Sequence, residues 1–431
     1  MKRFYVAMVL LVFCFSAQSV LAAPYAYITQ VEFGTVTVLD TVKNKKVATI
    51  DVGGMNGSPI AIAMSPDGRN AYVSSQSHVT GAGSWVTVID VLTHTVTATI
   101  PVGAYPIGTA ILPNGTKLYV AGYTGPVYGE LPGITIIDTT SNTVETTIPF
   151  GNFPYAVAAH PDSSKVYVTD YDDGTVTVID TASQTVTHTI NVGYPVLNGI
   201  AVHPDGTRVY VTNEGGSNIS IIDTSTNNIT ETISLTGFPI GGSPDQVAFN
   251  PTGSRAYVTT WGNGVYVIDA TSRTVIATID VGLTGGGGVD VSPDGSFVYV
   301  NTNGFDFKKD KPFNYGVKVI DAATNAVKKK IKLLGLPYSM GNFIGGPQSH
   351  MTVGTTGSGT GKVISKKITD IDCGSKCEAD FYVDRKIQLR AVPDEGFVFT
   401  GWSGGACTKK SKACTLVIKD DYSVTATFEP K

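Results

Sequence analysis

Residues 165–193 read KVYVTDYDDGTVTVIDTASQTVTHTINVG. Val176 and Val178 alternate with Thr175 and Thr177, the period of two that marks a strand with one buried face. The turns Asp172-Asp173-Gly174 and Thr181-Ala182-Ser183 divide the stretch into three short strands. A fourth, apolar segment precedes them and ends at the turn Pro161-Asp162.

The same unit recurs along the chain. A Tyr followed by Val or Ile stands at Tyr27, Tyr72, Tyr119, Tyr167, Tyr210, Tyr257 and Tyr299. An aliphatic pair followed by Asp stands at Asp40, Asp90, Asp138, Asp180, Asp223, Asp269 and Asp321, at spacings of 50, 48, 42, 43, 46 and 52. Between them lie turns such as Pro66-Asp67-Gly68, Pro204-Asp205-Gly206 and Pro293-Asp294-Gly295. Four short strands per period of this length are the mark of a β-propeller, and the Gly, Pro and Thr content excludes helical repeats. Seven units predict seven blades. The chain enters at the Tyr27 strand, so the first unit lacks an innermost strand, and a surplus segment at 337–344 is expected to supply it, three strands plus one.

These units resemble the YVTN family of bacterial and archaeal β-propellers over about three quarters of the chain. The resemblance implies a fold and is nearly silent on function, because the shared residues belong to turns and core. Seven copies of one Asp at one place read as turn acceptors for backbone N–H groups, since a catalytic residue should be singular.

The 431 residues include 48 Gly and 22 Pro and are only 15% charged, a mix for strands and tight turns. Residues 1–22 join a basic start (Lys2, Arg3) to an apolar run and a small-residue end. They read as a signal peptide cut between Ala22 and Ala23, with an uncleaved anchor as the alternative. Cys14 falls within it; Cys373, Cys377, Cys407 and Cys414 cluster near the C-terminus, an even set for which disulfides are the default in an exported chain. No later run is long enough to span a membrane. Residues 23–349 carry 17 basic and 25 acidic side chains and no basic stripe of the kind nucleic acid requires; residues 350–431 carry 12 and 10.

In propellers of this strand order, the loops between second and third strands share a face with the loops between blades. Insertions at 74–85, 122–133 and 303–316 stand out there against the short 170–174, while the opposite turns are uniform. Long loops on a rigid scaffold favour binding. The non-repeating residues His78, Trp85, Tyr128, Glu130, Tyr171, Asp172, Asp173, Glu214, Trp261 and Asp306 are therefore the candidates for binding. Tyr105, Phe153, Tyr194 and Phe238 each precede a proline; they read as packing between blades, with a ligand platform as the alternative.

No catalytic constellation is evident. His160 and His203 share a repeat position before a turn and lack converging ligand partners, so no metal and no cofactor is expected. The absence of CxxCH excludes ordinary c-type haem attachment. Gly401-Trp402-Ser403-Gly404-Gly405 matches a nucleophile elbow without its strand-to-helix context, and the run 357–362, GSGTGK, precedes Val363 where a phosphate loop needs Ser or Thr. Lysines concentrate in the seventh unit (Lys308, Lys309, Lys311, Lys318, Lys328, Lys329, Lys330, Lys332); those on the outermost strand read as protection of a sheet edge, with a docking patch as the alternative.

Residues 346–352 are expected as a linker and 353–431 as a separate β-domain. LRAVPDEGFVFTGWSGGAC and CTLVIKDDYSVTATF resemble the divergent internalin-type B-repeat domain, which implies a small β-module used as a spacer or adhesive accessory. Of three possible cysteine pairings, Cys373–Cys377 and Cys407–Cys414 are favoured because each brackets a polar turn; a four-thiolate zinc site is the alternative. Together these features predict an exported, non-catalytic binding or scaffold protein of the cell envelope, with a protein or carbohydrate partner on the inserted face. The competing expectation is a lactonase-like or quinoprotein-related propeller enzyme with a metal or cofactor at the channel mouth.

Overall fold

The computed structural model describes residues 24–77, 83–103, 105–123, 131–235, 243–285, 287–306, 311–365, 371–373, 377–383, 386–405, 407, 411–418 and 421–431. Residues 1–22, His78, Tyr128, Glu130, Phe238, Lys308 and Lys309 lie outside them. The chain divides into two compact units, 23–348 and 349–431. The described residues are all-β, with two single 3₁₀ turns at Val31–Phe33 and Gly54–Asn56 and no helix long and apolar enough to cross a membrane.

Within the larger unit the described strands form seven antiparallel sheets that follow one another along the chain. The fourth is typical: Pro154–Ala159, Lys165–Asp170, Thr175–Asp180 and Thr185–Asn191 lie side by side in sequence order. In the sixth sheet the second and third strands run together as Arg255–Asp269, whose first half pairs with Ser243–Phe249 and whose second pairs with Thr274–Gly285. First strands of successive sheets lie against each other, and apolar clusters fill the gaps between neighbouring sheets. Ile134 and Ile136 of the third sheet, for example, share a core with Val157, Val166, Val168 and Ile179 of the fourth.

The repeated residues have repeated duties. Asp90, Asp138, Asp180, Asp223, Asp269 and Asp321 each accept the backbone N–H three residues on, at 2.7–2.9 Å, and Asp40 does the same at 2.8 Å. The residue after that turn is left-handed in all seven units: Asn44, His94, Asn142, Gln184, Asn227, Arg273 and Asn325, with φ between 51° and 57°. The carboxylate thus satisfies a donor that the tight turn leaves exposed. The recurrent tyrosines are all buried between sheets.

A second rule operates two residues after four of these tyrosines. Ser74, Thr169, Thr212 and Thr259 accept a first-strand N–H of their own sheet, from Ala61, Ala156, Gly199 and Gln246. Each hydroxyl then donates to a first-strand carbonyl of the next sheet, at Ile107, Asn198, Asp245 and Gly287. One hydroxyl therefore repairs a bulge and joins two sheets.

The segment 337–344 lies beside the first sheet. Ser339 N–H donates to Thr29 Oγ1 at 2.7 Å, repeating that rule, and Ile344–Gly345 pairs antiparallel with Tyr25 and Ala26. On its other side Met340 forms a parallel bridge with Ala61 of the second sheet, and Ile62 N–H donates to Met340 O. The seventh sheet reaches the first as the first reaches the second: Tyr299 OH donates to Thr41 O and Asn44 Oδ1, at 3.0 and 2.8 Å, and Tyr27 OH meets His94 Nδ1 at 3.0 Å.

The smaller unit packs two four-stranded sheets about Met351, Val353, Phe381, Leu389, Phe399 and Trp402. Its first strand, Gln348–Thr356, begins within the stretch expected as a linker, because alternate residues Ser349, Met351 and Val353 turn inward and the strand pairs in parallel with Tyr422–Pro430. Both expected disulfides are present, Cys373–Cys377 and Cys407–Cys414. Trp402 Nε1 donates to Ser411 O, and Ser403 ends a strand with no helix after it.

Candidate functional site

A repeat protein marks a site where one position stops repeating. Six residues before each turn proline, the first strands place Ile60, Ile107, Tyr155, Asn198, Asp245 and Gly287, and the segment 337–344 places Tyr338 in the equivalent position. Four of these seven are polar, and they come from consecutive sheets and the closing segment. Tyr155 and Tyr338 share a hydrogen bond between their hydroxyls at 2.9 Å. Asn198 Nδ2 donates to Glu214 Oε2 at 2.8 Å.

Asp245 is 1% exposed; its Oδ2 accepts Gly287 N–H at 2.8 Å and its Oδ1 accepts the Gln246 amide at 3.1 Å. Burial, with a smaller push from the Glu214 charge, raises its carboxyl to about 7 against the pull of those donors. Burial likewise raises the hydroxyls of Tyr155 and Tyr338, and each feels the Asp245 charge. Aromatic rings continue the site outward: Tyr171 lies 5.3 Å from Tyr155 and 5.4 Å from Phe153, Phe153 lies 4.1 Å from Tyr123, and Tyr123 stacks on Tyr105 at 5.5 Å. Among the described residues no basic side chain contributes to this group. Hydroxyls, amides, two carboxylates and ring faces suit a ligand rich in hydroxyls or carrying a cation.

Of the residues singled out in the sequence, the structure brings Tyr171 and Glu214 into this cluster. Asp172 and Asp173 are exposed, with Asn152 Nδ2 donating to Asp173 at 2.6 Å, while the neighbouring Asp170 is buried and satisfies the amides of Asn152, Phe153 and Asp173. The Trp85 indole packs over Gly53 and Gly57 and donates to Val52 O, so it joins the first two sheets. Trp261 is 41% exposed within the strand Arg255–Asp269, and Asp306 ends a strand opposite Lys311 in the hairpin of the seventh sheet. Phe153 does pack between sheets. Tyr155, Asn198 and Asp245 were missed because they lie on strands, and Tyr338 because it lies in the closing segment; aligning the first strands and that segment slot by slot is the signal that finds them.

Three residues before each turn proline, a cavity of about 340 Å³ runs past Ala63, Ala110, Ala158, Ala201, Ala248 and Asp290. Asp290 replaces the alanine of that slot. Its Oδ2 accepts Phe343 N–H and Ile344 N–H at 2.8 and 2.9 Å, its Oδ1 accepts Val291 N–H at 2.8 Å, and the Asn342 amide nitrogen lies 2.8 Å away. Burial pushes this carboxyl to about 7 as well, against the pull of its three backbone donors. His160 and His203 each bridge a turn Asp to the turn glycine carbonyl of the next unit, at Gly206 and Gly253. Among the described residues no three His, Cys, Asp or Glu side chains come together as metal ligands.

Solved structures resembling this one include hydrazine synthase of Kuenenia stuttgartiensis, at 24% identity over 67% of this chain and 90% of that one, TM-score 0.56. A functionally unknown protein from Desulfotomaculum acetoxidans DSM 771 aligns at 15% identity over 74% of this chain and 98% of that one, TM-score 0.60. The dihydro-heme d1 dehydrogenase NirN, in complex with DHE, aligns at 15% identity over 73% and 74%, TM-score 0.51. At such identities the likeness concerns the fold alone. No curated protein matches the chain at a significant level. Residues 352–431 match the family model of the divergent InlB B-repeat domain, so the chain joins that domain to a propeller-like, all-β body.

Proposed function

We propose that this protein is an exported, non-catalytic binding propeller of the cell envelope, taking a carbohydrate or protein ligand on the face of the inserted loops. In this reading the seven sheets are seven YVTN-type blades closed as three strands plus one by 337–344. The equivalent seams at Tyr27–His94 and Tyr299–Asn44 support that closure. The observation that carries the function is the break in repetition at Tyr155, Asn198, Asp245 and Tyr338, which meets the loop residues Tyr171 and Glu214. Binding residues should be singular in a repeat, and these are.

The disulfides and the B-repeat domain are compatible with export. An oligosaccharide would stack on Tyr171 and donate its hydroxyls to Glu214. The test is a glycan array followed by calorimetry on the processed protein. Glu214→Gln and Tyr171→Ala should each weaken a positive ligand at least tenfold without altering the far-UV spectrum. An array hit indifferent to both changes would place binding elsewhere.

One observation favours the enzyme alternative: Asp245, titrating near neutrality beside Glu214, has the properties of a general acid or base. Turnover of a lactone or other ester that disappears in Asp245→Asn while binding persists would decide for it.

A further inference from the structure

The basic side chains of the larger unit are unevenly placed. Eleven of its seventeen fall in the first and seventh repeats, within 24–51 and 289–349; residues 52–288 hold six basic against seventeen acidic. The two ends of the chain are neighbours in space, since Lys329 Nζ lies 3.5 Å from Lys43 O and Tyr299 reaches Asn44. Lys45 and Lys46 on the outermost strand Lys45–Asp51, and Lys328, Lys329, Lys330 and Lys332 on the outermost strand Ala326–Lys332, therefore make a patch across two adjoining sheet edges. Lys45, Lys46, Lys328, Lys330 and Lys332 are exposed. Lys43 and Lys328 pair with Asp40 and Asp321, whereas Lys45, Lys46, Lys330 and Lys332 have no carboxylate partner among the described residues.

Protection of sheet edges does not account for this. The outermost strands of the other sheets, such as Thr95–Pro101 and Thr185–Asn191, carry threonines and no lysine. An edge device would be needed at every blade.

Two further features accompany the charge. Every described cation of the patch is lysine; none is arginine, the residue suited to forked recognition of a single phosphate or carboxylate. Leu334, 82% exposed and the most exposed large hydrophobic of the described residues, follows the outermost strand Ala326–Lys332 at one end of the patch. Phe33, also exposed, lies against Gly335 next to Leu334. Diffuse positive charge bordered by exposed apolar tips is what an anionic lipid surface attracts and then anchors.

We propose that the rim formed by the seventh and first repeats docks on an anionic phospholipid bilayer, with the lysines facing headgroups and Leu334 and Phe33 dipping to the acyl boundary. This docking does not depend on the proposed ligand site at Tyr155, Asn198, Asp245 and Tyr338.

The processed protein, recovered from an exporting host with its N-terminus verified by mass spectrometry, is sedimented with vesicles. Those of phosphatidylcholine with 30% phosphatidylglycerol should carry it down at low salt and release it at 0.5 M salt, and pure phosphatidylcholine should leave it in solution. Each lysine charge removed should weaken partitioning about fivefold, so the quadruple change Lys45→Ala, Lys46→Ala, Lys330→Ala and Lys332→Ala should lower it more than a hundredfold. Leu334→Ser should weaken it severalfold with the salt dependence intact. Unchanged thermal melting of both variants verifies their folding. Three results would overturn the proposal: no binding to either vesicle, equal binding to both, or indifference to the lysine changes. Dextran sulfate binding as tightly as vesicles, with Leu334→Ser silent, would replace the bilayer by a soluble polyanion.

Discussion

Replacing Asp290 by alanine sets two arguments against each other. Alanine occupies the same slot at Ala63, Ala110, Ala158, Ala201 and Ala248, so a consensus argument predicts that Asp290→Ala stabilises. The structure predicts the reverse. The Asp290 carboxyl accepts the amides of Phe343 and Ile344, which belong to residues 0% and 3% exposed. Leaving a buried donor unpaired costs about 1–3 kcal/mol, so the pair should cost about 2–6 kcal/mol, a large part of a domain's usual margin.

The test is best run near pH 4, where the raised carboxyl is protonated in the folded state and largely so in the unfolded chain, yet still accepts through Oδ2, so the cost of burying a charge scarcely enters. Urea unfolding of the processed protein gives the difference, and hydrogen exchange over 337–345 locates it. Asp290→Asn should lose less, because its amide oxygen can keep both acceptor contacts and only the Val291 bond is spoiled. A neutral or stabilising Asp290→Ala, with exchange at 337–345 unchanged, would refute the reasoning that this side chain fastens the last segment to the seventh sheet.

Asp245, raised in the folded state to about 7 from an ordinary value near 4, keeps its proton over that interval while the unfolded chain loses it. Its contribution to stability should therefore fall as pH rises from about 4 to about 7, by at most about 1.4 kcal/mol per pH unit; Asp290, raised likewise, adds a similar slope, so Asp245→Asn should roughly halve the pH dependence of the urea midpoint across that window. Tyr299→Phe, which removes bonds to Thr41 and Asn44 at the seam between the seventh and first sheets, should cost about 1–2 kcal/mol in chemical unfolding. Tyr167→Phe, whose buried hydroxyl has no partner among the described residues, should be close to neutral. The disulfides Cys373–Cys377 and Cys407–Cys414 close two short loops, worth about 2 kcal/mol each by the chain-entropy relation, and reduction removes that contribution. Calorimetry with reductant should lower the transition of the 349–431 unit and leave the larger one in place.

Much of the architecture was legible in the chain because β-strands and their turns are local. The period-two alternation of 175–180 and the recurrent Asp act within a few residues, and each does in space what its spacing implies. The cysteine pairs were legible for the same reason, being four and seven residues apart. The candidate site was half legible. Tyr171 and Glu214 stood out as non-repeating loop residues, but Tyr155, Asn198 and Asp245 sit in strands whose alternation marks them only as inner positions, and Tyr338 sits in the segment expected only to close the first sheet. Trp85 was singled out for its rarity, and its ring serves the joint over Gly53 and Gly57 instead.

By itself, then, the sequence determined the repeat unit, the turn acceptors, the all-β class and the smaller disulfide-linked domain, since these rest on contacts within one unit. Only the tertiary structure decided which singular residues meet. Tyr155 and Tyr338, 183 positions apart, share one hydrogen bond, and Lys43 lies beside Lys329 across 286. Such meetings depend on the angular step between sheets accumulated over the whole unit, a quantity that no local pattern of side chains encodes.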